Sequence, residues 1–456
     1  MAPRIVIVGG GSYQWVPKLV VDILNTASLR ESEIVLHDID PAPLAPMVDF
    51  IRHVAALDEA GITVRSTTDQ RDALGGADFV VVSISTGGFA SMRHDLEIPE
   101  RYGIKQSVGD SVGPGGINRA LRNIPVLVGI ARAMEEICPD AWLLNLTNPM
   151  TALCRAVNKE TSIKSVGLCH ELAMAQLQLS QLLDVGYRDV EVDLVGVNHL
   201  PLLTRVHARG EDAFPRLRAI AADPERAGAE PLELPEEYRE AAAAAGISLT
   251  KRDLLQSNQV KLALFDRFGV WPAAGDRHLV EFFPGFLTEA SQWGKRWGVA
   301  LTTIEDRERD AAGHQTHLAE LGQATEVPRM PSGEMVAPVI DSFIRNKPRS
   351  LPLNMPNAGQ APDLPPDVVV EAICIADGDG IRARDHTRVP PLLTEWLRRI
   401  VASQETTVEA ALSGRRAKVV EAMMLDPLAG RIDLEQLEHM TNDLLSATAA
   451  WLPQFE

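Results

Sequence analysis

Short apolar runs at 4–8, 33–36, 62–64, 79–84, 141–145, 164–168 and 190–197 alternate with longer stretches such as 17–24, 43–57 and 121–137. The short runs have the length and β-branched content of strands. In the longer ones apolar residues recur at spacings of three and four, the period of a helix packed on one face. This alternation over residues 1–200 predicts an α/β fold: a Rossmann-like, doubly wound, mostly parallel sheet, of the lactate and malate dehydrogenase kind. The run from Phe79 is almost unbroken in apolar residues, as a strand covered on both faces must be.

The pattern then changes. Over 208–235 Pro, Ala, Glu and Arg replace the periodic apolar positions, which reads as a connecting excursion. The Ala-rich run 241–245 predicts helix, 351–366 predicts loop, and the chain from Leu392 onward is mostly helical in pattern. These shifts place a nucleotide-binding domain at 1–200 and a second, mixed α/β domain for substrate and oligomerisation at 201–456.

Composition narrows the partners. The 62 acidic residues outweigh 44 Lys and Arg, for a formal net charge of −18. Such a surface repels nucleic acid and anionic membrane, so neither is an expected partner, although a few arginines suffice to invert the field inside a pocket. No apolar run is long enough to span a bilayer or to form a secretory leader. The four cysteines Cys138, Cys154, Cys169 and Cys374 are too sparse for a disulfide framework. A cytoplasmic enzyme with reduced thiols is the expectation.

Gly9, Gly10, Gly11 and Ser12 follow the first strand at once and lead into an apolar helix. Such a turn brings backbone N–H groups close to a pyrophosphate, and the helix N-terminus adds partial positive charge. The third glycine of G-x-G-x-x-G is absent, and a tight strand-to-helix turn without a ligand would use the same residues. Asp38 ends the second strand, where a carboxylate accepts from a ribose 2′-hydroxyl and disfavours a 2′-phosphate. NAD is therefore expected over NADP. Asp40 is a second candidate, but Asp40-Pro41 reads better as the start of the next helix.

Six blocks in order then carry a resemblance: the loop just described, RHDLEIPERYG from Arg93, DSVGPGGINRALR from Asp110, CPDAWLLNLTNP from Cys138, GLCH ending at His170 and GVNH ending at His199. In these the sequence resembles glycoside hydrolase family 4, with weaker echoes over 353–377. The resemblance implies a glycosidase of small-molecule glycosides that binds NAD and a divalent metal, with manganese expected, and that forms a homodimer or homotetramer. It implies oxidation and elimination in place of direct displacement: hydride leaves carbon 3 for NAD, a base takes the proton at carbon 2, the aglycone departs, water adds and the hydride returns.

Cys169 and His199 each follow a predicted strand, and in a parallel sheet both would project at the carboxyl edge beside the nucleotide. A thiolate and an imidazole hold one divalent cation while leaving positions open for two sugar oxygens. The plainer alternative is an inert buried cysteine and a histidine satisfied by backbone. Asn148 reaches the same edge, and the resemblance makes it a contact to the sugar hydroxyls with Arg93 as its partner. Asn148 also reads as a helix N-cap ahead of Pro149.

Cys169-His170 departs from the Cys-Asn or Cys-Asp of members acting on 6-phosphorylated sugars. It resembles members acting on unphosphorylated α-galactosides, α-glucosides or hexuronides. The tyrosine that serves several members as base has no evident counterpart, since Tyr238 lies in an Ala/Glu-rich stretch. Asp276, Arg277 and His278 instead form a polar run between apolar flanks. Asp276 is expected as the base, Arg277 as binder of an anionic sugar group, and His278 as a substrate contact and the next candidate base. A salt-bridge cluster at a helix start would look the same. Asp110, ahead of Gly113-Pro-Gly-Gly116, is expected as the acid, with His170 as the alternative. A NAD-dependent sugar or hydroxy-acid dehydrogenase and a 6-phospho-glycosidase are the competing activities.

Overall fold

The computed structural model describes residues 2–223, 232, 250–384 and 386–455. The expected helix over 241–245, Tyr238 and the end of the 208–235 excursion lie outside them. Up to residue 223 that excursion contains a helix, Phe214–Ala222. No helix of the described residues is long and apolar enough to cross a membrane.

Six strands pair in parallel: β1 (Arg4–Val8), β2 (Glu33–His37), β3 (Thr63–Thr67), β4 (Phe79–Val82), β5 (Trp142–Asn145) and β6 (Ser165–Gly167). Their order across the sheet is 3-2-1-4-5-6, that of a dinucleotide-binding fold. The period of two explains how it is covered. Ile5 and Ile7 of β1 share a core with Leu19, Ile23 and Phe50 of the helices Val16–Leu24 and Leu44–Leu57. Val6 and Val8 share the opposite core with Ile124 and Leu127 of the helix Gly113–Ile137. Every β1 residue from Ile5 to Ile7 is fully buried, so truncating any one to Ala costs about 2–5 kcal/mol.

The seventh predicted strand is real but does not extend the parallel set. β7 (Val190–Val197) turns back into β8 (Leu200–Ala208), which also pairs with β9 (Glu211–Asp212) and β10 (Trp271–Pro272). Between β6 and this hairpin lie β11 (Arg349–Pro356) and β12 (Val369–Asp377), the latter also paired with β13 (Gly380–Ala383). All these ladders are antiparallel, so the sheet is mixed, and it runs unbroken past residue 200. One registered row, Asn145–Gly167–Asn354–Glu371–Gly196–Pro201, crosses from the parallel part to the hairpin. Asn198 and His199, the hairpin's turn, thereby come level with the carboxyl ends of β5 and β6. His199 reaches that edge because an antiparallel turn is brought down to it, not because a parallel strand ends there.

The C-terminal helix Pro391–Ser413 packs through Leu397, Ile400 and Val408 into the same core as Leu121 and Ile124 of Gly113–Ile137 and Leu153 of Met150–Glu160. The helical end of the chain therefore covers the nucleotide-binding half.

Candidate active site

The glycine turn is tied to β2. Gly9 and Gly10 donate to the His37 carbonyl at 2.9 and 2.8 Å, and Gly11 donates to Asp38 Oδ2 at 3.0 Å. Gly9 has φ +89°, and a Cβ there would lie 2.0 Å from the Ser83 carbonyl oxygen, so only glycine fits. Asp38 is half-buried, and its other oxygen accepts from Asp40 N at 3.1 Å. Asp40 braces the turn through Ala42 N at 2.9 Å, while the helix itself starts at Leu44, so Asp40 is not its N-cap.

At the carboxyl edge Asp110, His199 and His278 offer ligand atoms within 4.8 Å of one another. The elements that bring them together are unrelated in sequence. Asp110 and Ser111 sit in the loop before Gly113–Ile137, clamped at both ends by buried carboxyls. Glu281 Oε1 accepts from Val108 N and Gly109 N at 2.7 and 2.9 Å, and Asp426 Oδ2 accepts from Gly113 N at 2.7 Å. Gly116 lets the helix close on this loop, since a Cβ there would lie 2.7 Å from the Ser111 carbonyl carbon. His199 stands in the left-handed region at φ +64°, in the β7–β8 turn. Asn198 holds that turn by donating to Glu371 Oε2 at 3.3 Å and, from its backbone, to Thr151 Oγ1 at 3.2 Å. His278 comes from the helix Asp276–Phe282.

Ser111 Oγ lies 2.6 Å from His199 Nδ1 and donates to Asp110 Oδ1 at 2.8 Å. With its only proton so used, Ser111 accepts from Nδ1–H, so the nitrogen His199 can offer to a metal is Nε2. The His199 and His278 rings lie 3.8 Å apart, and burial first, then His199, pushes His278 down to about 3. This favours a neutral His278, the form of imidazole that ligates metal. Burial would raise Asp110, but the positive charge that His199, His278 when protonated, and Arg119 can bring against it, with the Ser111 hydroxyl, holds the carboxyl below its usual range. An ionised Asp110 cannot be the expected acid; it is suited to a cation. Asn148 donates to Asp110 Oδ2 at 3.2 Å, and its own buried side-chain oxygen Oδ1 has no partner. Pro149 occupies the helix N-cap, so Asn148 does not cap Met150–Glu160.

Other expectations are redistributed. Cys169 is buried beside Met150, Cys154 and Val369, and is not among the three clustered ligands. Burial, with Glu371, Glu171 and Glu334 nearby, drives its thiol well above the ordinary range. Arg93 is turned away into ion pairs with Glu97, Glu305 and Glu308 at 2.9, 2.7 and 3.4 Å. The arginine at the site is Arg119, whose Nε donates to the Asn148 carbonyl at 3.1 Å. Asp276 is raised to about 6 by burial, yet both its oxygens accept from the N-terminus of Gln259–Phe268, at Val260 N (2.7 Å) and Lys261 N (3.0 Å). It caps a neighbouring helix, which is not the work of a base. Arg277 is exposed and donates to Thr302 Oγ1 at 3.0 Å. His170 pairs through Nδ1 with the buried Glu334 at 2.8 Å and lies against Trp15, just after the glycine turn. The sequence reading missed Ser111, Arg119, Glu171, Glu281 and Glu334. Ser111 and Arg119 stood inside the block from Asp110, and Glu171 directly follows His170; Glu281 and Glu334 carry no local signal.

The family 4 glycosyl hydrolase model matches residues 4–185, and the model of that family's C-terminal domain matches 194–429. The chain belongs to glycosyl hydrolase family 4. An alpha-galacturonidase of Lachnoclostridium phytofermentans is 32% identical to it over 468 residues, spanning 99% of this chain and 97% of the relative. An alpha-galactosidase of Bacillus subtilis is 29% identical over 467 residues, spanning 99% and 100%. A 6-phospho-alpha-glucosidase from gut microorganisms, crystallised with NAD and Mn2+, has a TM-score of 0.80 at 21% identity and full coverage of both chains. The first matched region of this family 4 chain runs through most of the β6–β7 connection and the second begins inside β7. Its Asp110–His199–His278 cluster draws on both.

Proposed function

We propose that this glycosidase hydrolyses glycosides of an unphosphorylated hexose or hexuronic acid by transient oxidation at carbon 3, proton abstraction at carbon 2 and elimination of the aglycone. NAD, when bound, would supply a hydride acceptor and donor, and a divalent cation such as Mn2+ would supply Lewis acidity toward the sugar oxygens. The observation that carries this reading is the cluster of Asp110, His199 and His278 at the carboxyl edge of a dinucleotide-binding sheet. Two imidazoles and a carboxylate suit manganese better than a soft metal, and the buried His278 Nδ1 lacks a partner. These three residues would hold the cation.

The rest falls to the protein's own groups. The buried side-chain oxygen Oδ1 of Asn148 lacks a donor, which a sugar hydroxyl would supply. His170, oriented by Glu334, is the proton donor to the departing oxygen in place of Asp110. Asp38 keeps lone pairs for a ribose hydroxyl, so Asp38→Ala should relax a preference for NAD over NADP. The reading is tested by aglycone release with NAD in trace amount and Mn2+ present, in deuterium oxide. Many turnovers per NAD, with deuterium at carbon 2 of the product, support it. Stoichiometric NADH accumulation would instead indicate a dehydrogenase. Chelation should abolish turnover and Mn2+ should restore it; full rates in metal-free buffer sink the assignment of the cluster.

A further inference from the structure

Among the described arginines, Arg93, Arg122, Arg155 and Arg349 each hold a carboxylate. Arg119, Arg277 and Arg307 form no ion pair among the described residues. Each has one neutral contact: Arg119 Nε with the Asn148 carbonyl at 3.1 Å, Arg277 Nη2 with Thr302 Oγ1 at 3.0 Å, and Arg307 Nη2 with the Val108 carbonyl at 2.8 Å. All three belong to the same place. Arg277 holds Thr302, whose N–H donates to the Ser107 carbonyl at 3.2 Å, Arg307 holds the Val108 carbonyl, and Arg119 holds Asn148, which donates to Asp110, so all three gather on the loop 107–110. Arg307 Nε is also buried without an acceptor.

Three guanidiniums with no described carboxylate bonded to any of them leave positive charge unopposed in a chain whose formal charge is −18. A neutral hexose offers nothing to offset it. A planar carboxylate accepts from two guanidiniums at once and would supply the acceptor that Arg307 lacks.

We propose that the glycone carries a carboxylate at carbon 6, making the substrate a hexuronide, with Arg277 and Arg307 as the residues that select it. This rests on the glycosidase reading above. A phosphate at carbon 6 shares the charge but not the planar shape, so the test carries an arm for each.

Nitrophenyl glycosides of galacturonic acid, galactose and galactose 6-phosphate, with their gluco counterparts, are compared by kcat/KM in the presence of NAD, Mn2+ and a reductant. The uronide should exceed the neutral sugar by about a hundredfold or more, the scale of a site whose buried polar groups are left unpaired by the wrong substrate. Arg277→Gln and Arg307→Gln should each shrink that ratio at least about tenfold, chiefly through KM, with partial recovery in the Lys variants. Free galacturonate, but not galactose, should raise Tm, a readout independent of turnover. A neutral sugar cleaved as well as the uronide overturns the proposal and leaves the glycosidase reading standing; preference for the phosphate overturns the proposal and the unphosphorylated substrate class, and leaves only NAD-dependent glycoside cleavage. NAD-dependent cleavage of none of the six removes both.

Discussion

Arg119 and Arg122 stand one turn apart on the helix Gly113–Ile137, and their surroundings follow opposite rules. Arg122 meets Asp95 with Nη1–Oδ1 at 2.9 Å and Nη2–Oδ2 at 2.6 Å, and both side chains are essentially inaccessible. Asn118 Nδ2 adds a bond to Asp95 Oδ1 at 2.8 Å and reaches Thr448 Oγ1 at 3.2 Å, tying in the C-terminus. None of these side chains has a buried atom without a partner. Around Arg119 the account does not close: Asn148 Oδ1, His278 Nδ1 and Arg307 Nε are buried and unpaired. Buried polar groups are normally satisfied, so a closed network is architecture and an open one is a site waiting for its ligands.

The contrast can be broken by mutation. Asp95→Ala leaves an uncompensated guanidinium in the core and should cost about 3–5 kcal/mol, seen as a large drop in Tm. Retention of wild-type stability would mean the pair is not what ties the C-terminal helices down. His199→Ala should do the reverse: kcat/KM falls by about a hundredfold or more, as even the outer partners of a bound metal matter on that scale, while Tm without metal moves little. Equal losses of stability in both variants would erase the distinction.

Glu281 sharpens it. Burial raises this carboxyl from 4.5 to about 8, so the folded protein keeps a proton that the unfolded chain releases between those values. Its contribution to stability is complete below the unfolded value and is lost as pH rises through about 8. Glu281→Gln should flatten the fall of Tm over that window; an unchanged slope assigns it to other groups. The smallest effect is expected at Asp276. Asp276→Ala removes a cap from Gln259–Phe268 and should cost about 1–2 kcal/mol, with kcat little changed. A hundredfold loss of kcat at full stability would restore Asp276 as the base.

Asp276 and His278 also show where reading along the chain stops. Two residues apart in one polar run, they share every local signal, yet one turns to a neighbouring helix and the other to Asp110 and His199. Arg93 and Arg119 lie in two of the family blocks with equal claim to the sugar. Arg93 is lost to it only because Glu305 and Glu308, more than 200 positions along, approach from the helix Ile304–Leu321. Cys169 has the residue type and the strand end expected of a ligand, whereas the grouping of Asp110, His199 and His278 is visible only in distances.

The sequence by itself determined the elements of the nucleotide-binding half, the glycine turn, and the presence of Asp110, Asn148 and His199 at strand or helix ends. Those features depend on side-chain period and on steric limits of the backbone, which act over a few residues. Tertiary structure alone decided that β11 and β12 enter between β6 and β7, and that single event sets the level of the β7–β8 turn. His199 therefore arrives at the carboxyl edge from the opposite direction to the one its strand implied. Which polar groups are paired, and which stay open for a metal or a sugar, follows from pairings between residues as far apart as Val108 and Glu281 or Gly113 and Asp426. Burial makes each such pairing costly to omit, but nothing local in the chain says with whom it will be made.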